Sequence, residues 1–302
     1  MTNNSSRILV AGATGVVGGL VARKLLAAGV PVRALGRNSE KLAALAAAGA
    51  ETVATDLLDQ AAVSRACEGI GQIYSTVNNV MGRGASSPNR VDVKAYESLC
   101  NAARSTAVRR IVHLSARGME ADGPVDFFRV KHAIEVVIRK CGVPFVMIRP
   151  TAFMEIWVAM IVDGIRKNGK AVLFGDGETV GNYIAVEDVA ELSLRILQQS
   201  DIINEAIDIG GPSNLSSNEL VSLIKRHMGV TVRRRRIPAP VLWTGGLLLR
   251  PFHEVAARFM RMGYFTATRE RRFTDWSVAA KRFGVSPMSV ETFLAAGPGG
   301  NS

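Results

Sequence analysis

Arg7-Ile8-Leu9-Val10-Ala11-Gly12-Ala13-Thr14-Gly15-Val16-Val17-Gly18-Gly19-Leu20-Val21-Ala22-Arg23-Lys24-Leu25-Leu26-Ala27-Ala28 is the stretch on which the fold turns. It opens as an apolar strand, passes through a glycine turn, and continues with the composition of a helix. A helix that starts straight from such a turn aims unpaired N–H groups, and the positive end of its dipole, at whatever lies over the turn. A phosphate suits that place. Gly12, Gly15 and Gly18 follow a G-x-x-G-x-x-G spacing, with Thr14 where the commoner G-x-G-x-x-G fingerprint has its second glycine. Gly12 makes the tight turn, Gly15 lets the backbone approach a diphosphate, and Gly18 lets the helix lie close on the strand. Thr14, Val16 and Val17 complete the loop. Glycine spacing alone is also compatible with a plain structural turn; a following strand that ends in a basic residue favours the nucleotide reading.

Working outward, strand and helix patterns alternate through the first half, as in a parallel sheet with helices on both faces. Pro31 to Leu35 is a second strand, and Ser39 to Ala48 an alanine-rich helix with Ser39 as its cap. Glu51 to Thr55 is a short strand, Ala61 to Cys67 a helix, and Ile70 to Val77 a fourth strand. A Gly, Ser and Asn-rich loop from Asn78 to Asn89 leads into a long helix ending near Ser105. Arg109 to Ser115 and Phe145 to Arg149 are strands, separated by a helix from Asp126 to Cys141. Beyond Pro150, Phe153 to Arg166 is helical, Ala171 to Phe174 a strand, Val186 to Gln198 a helix, and Ala206 to Ile209 a strand returning to the sheet. Ser217 to Met228 is an amphipathic helix, Val230 to Ile237 a strand, and helices flank Pro251. The expected fold is a doubly wound parallel α/β sheet of Rossmann type. Residues 1–152 form its dinucleotide-binding domain, 153–296 a smaller, partly helical substrate or lid region, and 297–302 a frayed tail.

The polar start Met1 to Ser6 has no secretory apolar region, and the run Ile237 to Leu249 is too short to span a bilayer. Three cysteines, Cys67, Cys100 and Cys141, and four histidines, all without ligand spacing, fit a reducing cytoplasm and no bound metal. The net charge of +11 sits almost wholly in one segment, Lys225 to Arg282, which holds fourteen Lys and Arg against three acids.

The landmarks resemble the short-chain dehydrogenase/reductase superfamily, and within it the atypical, NmrA-like branch. The matching residues are Gly12 to Gly18, Gly36-Arg37, Asp56-Leu57, His113 to Ala116, Lys131 to Glu135, Arg149 to Met154, and Ile184 to Ala190. The resemblance covers residues 7 to 220 and implies a pyridine dinucleotide, with Asp56 and Leu57 bordering the adenine and Thr76, Lys131, Pro150 and Phe153 completing the cofactor site. It embraces small-molecule reductases and also nucleotide-binding regulators and assembly factors.

An acid at the end of the second strand would hold the ribose of NAD, whereas an Arg pairs with the extra phosphate of NADP. The strand ends Leu35-Gly36-Arg37 with no acid before Glu40, so NADP(H) is the expected cofactor; a merely solvated Arg37 is the alternative. Typical members of the superfamily carry Tyr-x-x-x-Lys, one turn apart, so that the phenol passes a proton to the substrate. This chain has Phe127-Phe128-Arg129-Val130-Lys131. Lys131 is kept, with an ordinary pair to Glu135 as its bland alternative, and Ser115 stands where the superfamily orients substrate, with a cap as its alternative. Tyr183, in a loop before Ile184, is the one tyrosine placed to reach the cleft.

Losing a general acid costs roughly 10²- to 10⁴-fold, a loss tolerable when hydride goes to a conjugated quinone, enone or imine. Pocket walls are expected from Asn78 to Met81, Gly118 to Phe128, Phe153 to Trp157 and the C-terminal helices, although Phe153, Met154 and Trp157 also fit a core stripe.

Arg233 to Arg236 lie on a strand, so they alternate in direction: two pair with acids or a ligand and two are solvated. No nucleic-acid motif accompanies them, so no nucleic-acid partner is expected. Pro240 to Tyr264 mixes Trp243, Phe252 and Phe259 with arginines, which suits either a basic lid or a peripheral contact with an anionic membrane or acidic partner. Three readings follow: an NADPH-dependent reductase of a hydrophobic conjugated small molecule, an NADP(H)-binding sensor or assembly factor docking through its basic segment, and a non-redox isomerase or cyclase. Oligomeric state stays open.

Overall fold

The computed structural model describes residues 7–79, 82, 84, 87–119, 123 and 125–297. Val80, Met81, Glu120 to Asp122 and Pro124 of the expected pocket walls, the start Met1 to Ser6, and the tail beyond Gly297 lie outside the described residues.

The chain divides into two compact units. The first comprises Met1–Ala121, Phe127–Arg149 and Val189–Ile207; the second comprises Asp122–Asp126, Pro150–Asp188 and Asp208–Ser302. In chain order the strands of the large sheet are β1 (Ile8–Ala11), β2 (Val32–Gly36), β3 (Glu51–Ala54), β4 (Gln72–Ser75), β5 (Arg110–Leu114), β6 (Phe145–Pro150) and β10 (Glu205–Ile209). Their spatial order is β10-β6-β5-β4-β1-β2-β3. The pairs from β6 through β3 are parallel, with Ile8 opposite Val32 on one side of β1 and Gln72 on the other. The chain winds from β1 out to β3, then jumps back to β4. The carboxyl ends of β1 and β4 are therefore the switch point, where open α/β sheets bind ligands.

The central strands β1, β2 and β5 are buried along their whole length because helices cover both faces, whereas β3 at the sheet's edge is largely exposed. These are α1 (Val16–Ala27), α2 (Ser39–Ala47), α3 (Gln60–Cys67), α4 (Pro88–Ser105), α5 (Asp126–Lys140) and α7 (Val186–Gln198). The core of the first unit runs through Leu9, Leu35, Ile73, Tyr96, Leu99, Ile111, Ile134 and Met147. Arg110, buried at the start of β5, spends its guanidinium on Gln72 Oε1 and on the carbonyls of Ile196, Gln199 and Ile202 around the end of α7. The N-cap of α2 is Asn38, whose Oδ1 accepts from Lys41 N; the cap lies one residue before the expected Ser39, which is instead the first helical residue. Cys100 and Cys141, distant in sequence, share a hydrogen bond that raises the Cys100 thiol and lowers that of Cys141.

The second unit holds β7 (Ala152–Phe153), α6 (Met154–Asn168), β8 (Lys170–Phe174), β9 (Val180–Ile184), β11 (Asn214–Ser216), α8 (Ser217–Met228), β12 (Arg233–Ile237), α9 (Ala239–Leu248), α10 (Glu254–Thr268), α11 (Trp276–Phe283) and α12 (Val290–Ala296). β11 and β7 flank β9, and β12 pairs with β8. Asn182 is the hub: buried on β9, it accepts from Thr151 Oγ1 and Gly211 N and donates to Gly211 O, Ser213 O and Asn214 Oδ1. A capping box between Ser216 and Glu219 opens α8, and Gly229 in the left-handed region closes it.

Three local expectations change. Phe153 is the end of β7 and the cap of α6 rather than a helical residue. Tyr183 lies on β9, not in a loop. All four arginines from Arg233 to Arg236 are exposed, because β12 borders a two-stranded sheet and presents both its faces to water. Arg234 donates to Ser222 Oγ and Asn218 O, and no acid pairs with the run among the described residues. No helix among the described residues is long and apolar enough to cross a membrane.

Candidate functional site

The phosphate loop is built as its glycines require. Gly12 sits at φ +89°, a conformation that L side chains rarely adopt. Its amide donates to Leu35 O and its carbonyl accepts from Gly15 N, which closes the turn. A Cβ on Gly18 would meet Gly12 O at 2.3 Å and Thr76 Cγ2 at 2.8 Å, so glycine alone allows α1 to lie this close to the ends of β1 and β4. Gly15, the N-cap, has no side chain to satisfy the first amides of α1, and both it and Val16 are exposed. Thr14 is half-buried against Gly36, while Val17 turns inward. An exposed helix start with no capping side chain, behind a loop with no obstructing Cβ, fits a diphosphate.

At the end of β2, Arg37 is exposed and has no hydrogen-bond or ion-pair partner among the described residues. Asp56 is exposed and its Oδ1 accepts from Leu58 N, forming a turn after β3. The side chain of Leu57 lies in the core and Leu58 is the exposed one, so at position 57 it is the backbone beside the Asp56 turn that is left to border a ligand.

The residues at the end of β5 form a buried polar cluster. Lys131, 3% exposed, donates from Nζ to Leu114 O at 2.7 Å. Burial pushes its ammonium down to about 8, against the opposing pull of Asp92 and Glu135. Glu135 does not take Lys131 as its hydrogen-bond partner: its carboxylate accepts from Arg149 Nε at 2.9 Å and Nη2 at 2.5 Å, and from Arg139 at 3.3 Å. Burial would raise the Glu135 carboxyl, but hydrogen bonds from Arg149 and Ser115 and the arginine charges bring it below its ordinary value. Ser115 is buried and committed to Glu135 and to Met119 Sδ, so its hydroxyl belongs to this cluster. Burial, then the Lys131 charge, hold His113 well below the usual imidazole range, and its ring meets Tyr96 edge-on at 4.8 Å. Phe127, one turn before Lys131 on α5, stacks edge-on against Phe128 at 5.4 Å and offers no proton.

In the second unit the Tyr183 hydroxyl is bound to Arg271, and burial raises the phenol; it is 5% exposed and serves packing. Pro150 is buried at the end of β6. Met154 is fully buried in the core of this unit and Trp157 packs against it, so this stripe is core. Glu155 caps α7 by accepting from Val186 N at 2.8 Å. No group of three or more His, Cys, Asp and Glu among the described residues is arranged to hold a metal ion.

The sequence did not single out Asp92, which faces Lys131, or Arg149 as the partner of Glu135. The spacing of Glu135 four residues after Lys131 suggested a pair between those two, whereas the cations that Glu135 accepts from are Arg149 and Arg139.

The NmrA-like family model matches residues 4–294. The chain belongs to the NmrA-like family. It is 32% identical over 228 residues to a (4-alkanoyl-5-oxo-2,5-dihydrofuran-3-yl)methyl phosphate reductase of Streptomyces griseus, covering 75% of each chain. It is 28% identical over 227 residues to an NAD(P)H azoreductase of Xenophilus azovorans, again covering 75% of each. It is also 25% identical over 231 residues to the photosystem II assembly factor Ycf39 of Trieres chinensis, covering 76% of this chain and 72% of that one. Among solved structures, the NADPH-dependent quinone oxidoreductase of Escherichia coli superposes with a TM-score of 0.79 at 20% identity, over 95% of this chain and 98% of the other. That likeness establishes the Rossmann-type α/β fold of this NmrA-like chain.

Proposed function

We propose that this chain is an NADPH-dependent reductase that delivers hydride to a hydrophobic conjugated small molecule of quinone, enone or imine type. The observation that carries the reading is the open, uncapped start of α1 behind Gly12, Gly15 and Gly18, with an exposed Arg37 and no acid at the end of β2. Backbone amides from Thr14 to Gly18 would hold the diphosphate, and Arg37 the additional phosphate on the adenosine side. Bound there, the nicotinamide supplies hydride. Lys131 contributes a buried positive charge at the end of β5, fixed in place by Leu114 O. Thr76 packs against Gly18 and steadies the loop, and Pro150 and Phe153 mark the change from β6 to α6.

Phe127 selects the acceptor. With no phenol to pass a proton as charge develops, a simple ketone is a poor substrate, whereas a quinone, enone or imine spreads the charge and takes its proton from water. The relatives whose names record reduction of an azo compound and of an oxo-dihydrofuran support this class. The division of labour, with residues 1–152 holding the dinucleotide and 153–296 selecting the substrate, is part of the same proposal. The second reading, an NADP(H)-binding sensor or assembly factor without turnover, rests on the same Phe127 together with the likeness to an assembly factor.

Stopped-flow oxidation of NADPH against a panel of quinones, enones and imines tests the first reading, and silence across the panel with NADPH still bound would favour the second. Arg37→Ser should erase the preference for NADPH over NADH by about 10- to 100-fold, the worth of a charge-assisted hydrogen bond. An unchanged preference would remove Arg37 from the site.

A further inference from the structure

We propose that the hairpin of α9 and α10 docks on the surface of a bilayer containing anionic lipid, with β12 supplying the charge that meets the headgroups. From Ala239 to Leu248, α9 reads Ala-Pro-Val-Leu-Trp-Thr-Gly-Gly-Leu-Leu, with no charged residue, and only Leu242 and Gly246 are buried. Val241, Trp243, Leu247 and Leu249 are exposed, Leu248 is 69% exposed, and Phe252 at the following turn is 87% exposed. A helix apolar around its whole circumference is normally buried on all sides, and contiguous exposed apolar surface marks an interaction site.

One side of α9 does have a partner. Gly245 lies against Met260 and Gly246 against Arg261, so the two helices approach closely. The Trp243 ring meets Tyr264 at 5.1 Å and lies under the Arg261 guanidinium at 5.6 Å. The hairpin is thus a packed wedge whose outer side, from Leu247 to Phe252, faces solvent.

Charge identifies the occupant. β12 places Arg233, Arg234, Arg235 and Arg236 in water and runs through Pro238 straight into α9. Arg250 stands at the other end of the helix, and no Asp or Glu occurs between Gly229 and His253. A second copy of this chain on a two-fold axis would bring one acid-free arginine strand toward another. A bilayer offers the complement: hydrocarbon for the leucines and Phe252, a boundary layer for Trp243, and a field of phosphates for the arginines. The contact is peripheral, as no described helix can span a membrane.

Cosedimentation of the full chain with vesicles provides the test, using phosphatidylcholine mixed with phosphatidylglycerol against phosphatidylcholine alone. Binding is expected to the mixed vesicles only. The double variant Leu248→Asp/Phe252→Asp should abolish it, and Arg233→Gln/Arg235→Gln should weaken it roughly 25-fold, at about fivefold for each basic residue near an anionic surface. All four positions are exposed, so thermal unfolding of the variants should match the parent and separate docking from folding. Failure to cosediment, equal binding to both vesicles, or binding that survives both double variants would overturn the proposal. So would a concentration-dependent dimer in sedimentation velocity that Leu248→Asp/Phe252→Asp dissociates, which would assign the face to a second copy. NADPH titration is not a readout here, so this proposal and the reductase reading stand or fall separately.

Discussion

Replacing Gly18 by Ala should unseat the phosphate loop, whereas replacing Gly15 by Ala should spare the fold and spoil the anion site. A Cβ at position 18 would stand 2.3 Å from Gly12 O, 2.9 Å from Gly12 C and 2.8 Å from Thr76 Cγ2. Two of those atoms are backbone, so relief requires the loop itself to move. Overpacking of this kind costs about 1–3 kcal/mol, and exchanging glycine for alanine inside a helix returns about 0.5–1 kcal/mol. The net loss is up to about 2.5 kcal/mol, and at roughly 2–4 °C per kcal/mol for a large domain the Tm should fall by up to about 10 °C. At position 15 the only close atom among the described residues is Gly12 O at 3.3 Å, and φ is an ordinary −85°. That variant should lose less than about 1 kcal/mol, the scale of an N-cap change. Both should weaken NADPH binding by about tenfold or more, because each backbone bond to an anion is worth about 1.5–3 kcal/mol. Calorimetric titration and thermal unfolding on the same preparations separate the effects. Equal Tm losses in the two variants, or parental NADPH affinity in either, would refute the argument that this loop is the diphosphate cradle.

Further outcomes concern the buried charges. Glu135→Gln should cost about 1–3 kcal/mol, below the full penalty for breaking a buried pair because Arg149 keeps some solvent; urea unfolding measures it. The folded Glu135 carboxyl is held below its unfolded value, so its stabilisation is present above the unfolded carboxylate pKa and is lost as pH falls through the folded one; Glu135→Gln should flatten that acid limb of the stability profile. Lys131 has the opposite consequence at high pH: its ammonium is pushed down to about 8, so between there and the ordinary lysine range the unfolded chain binds the extra proton and stability rises with pH. NADPH affinity should decline over the same rise if the ammonium holds the cofactor, and Lys131→Met should remove both dependences.

The sequence by itself determined the strand, turn and helix around Gly12, because that signal is local: glycine spacing, apolar run and helix start lie within one short segment. The same holds for Val186–Gln198 and Ser217–Met228, whose limits are written in acids at one end, a capping box, and Gly229. What only the tertiary structure decided are matters of neighbourhood. Leu57 or Leu58 facing the core depends on one turn at Asp56. The partner of Glu135 is Arg149 on β6 rather than Lys131 on its own helix, since adjoining strands of a parallel sheet bring distant residues together. The four arginines of β12 all face water because that strand ends a two-stranded sheet, and no pattern within a strand records how many strands lie beside it. Local chemistry fixes where elements begin and how they are capped; long-range packing fixes which of their faces meets protein and which is left for a ligand or a surface.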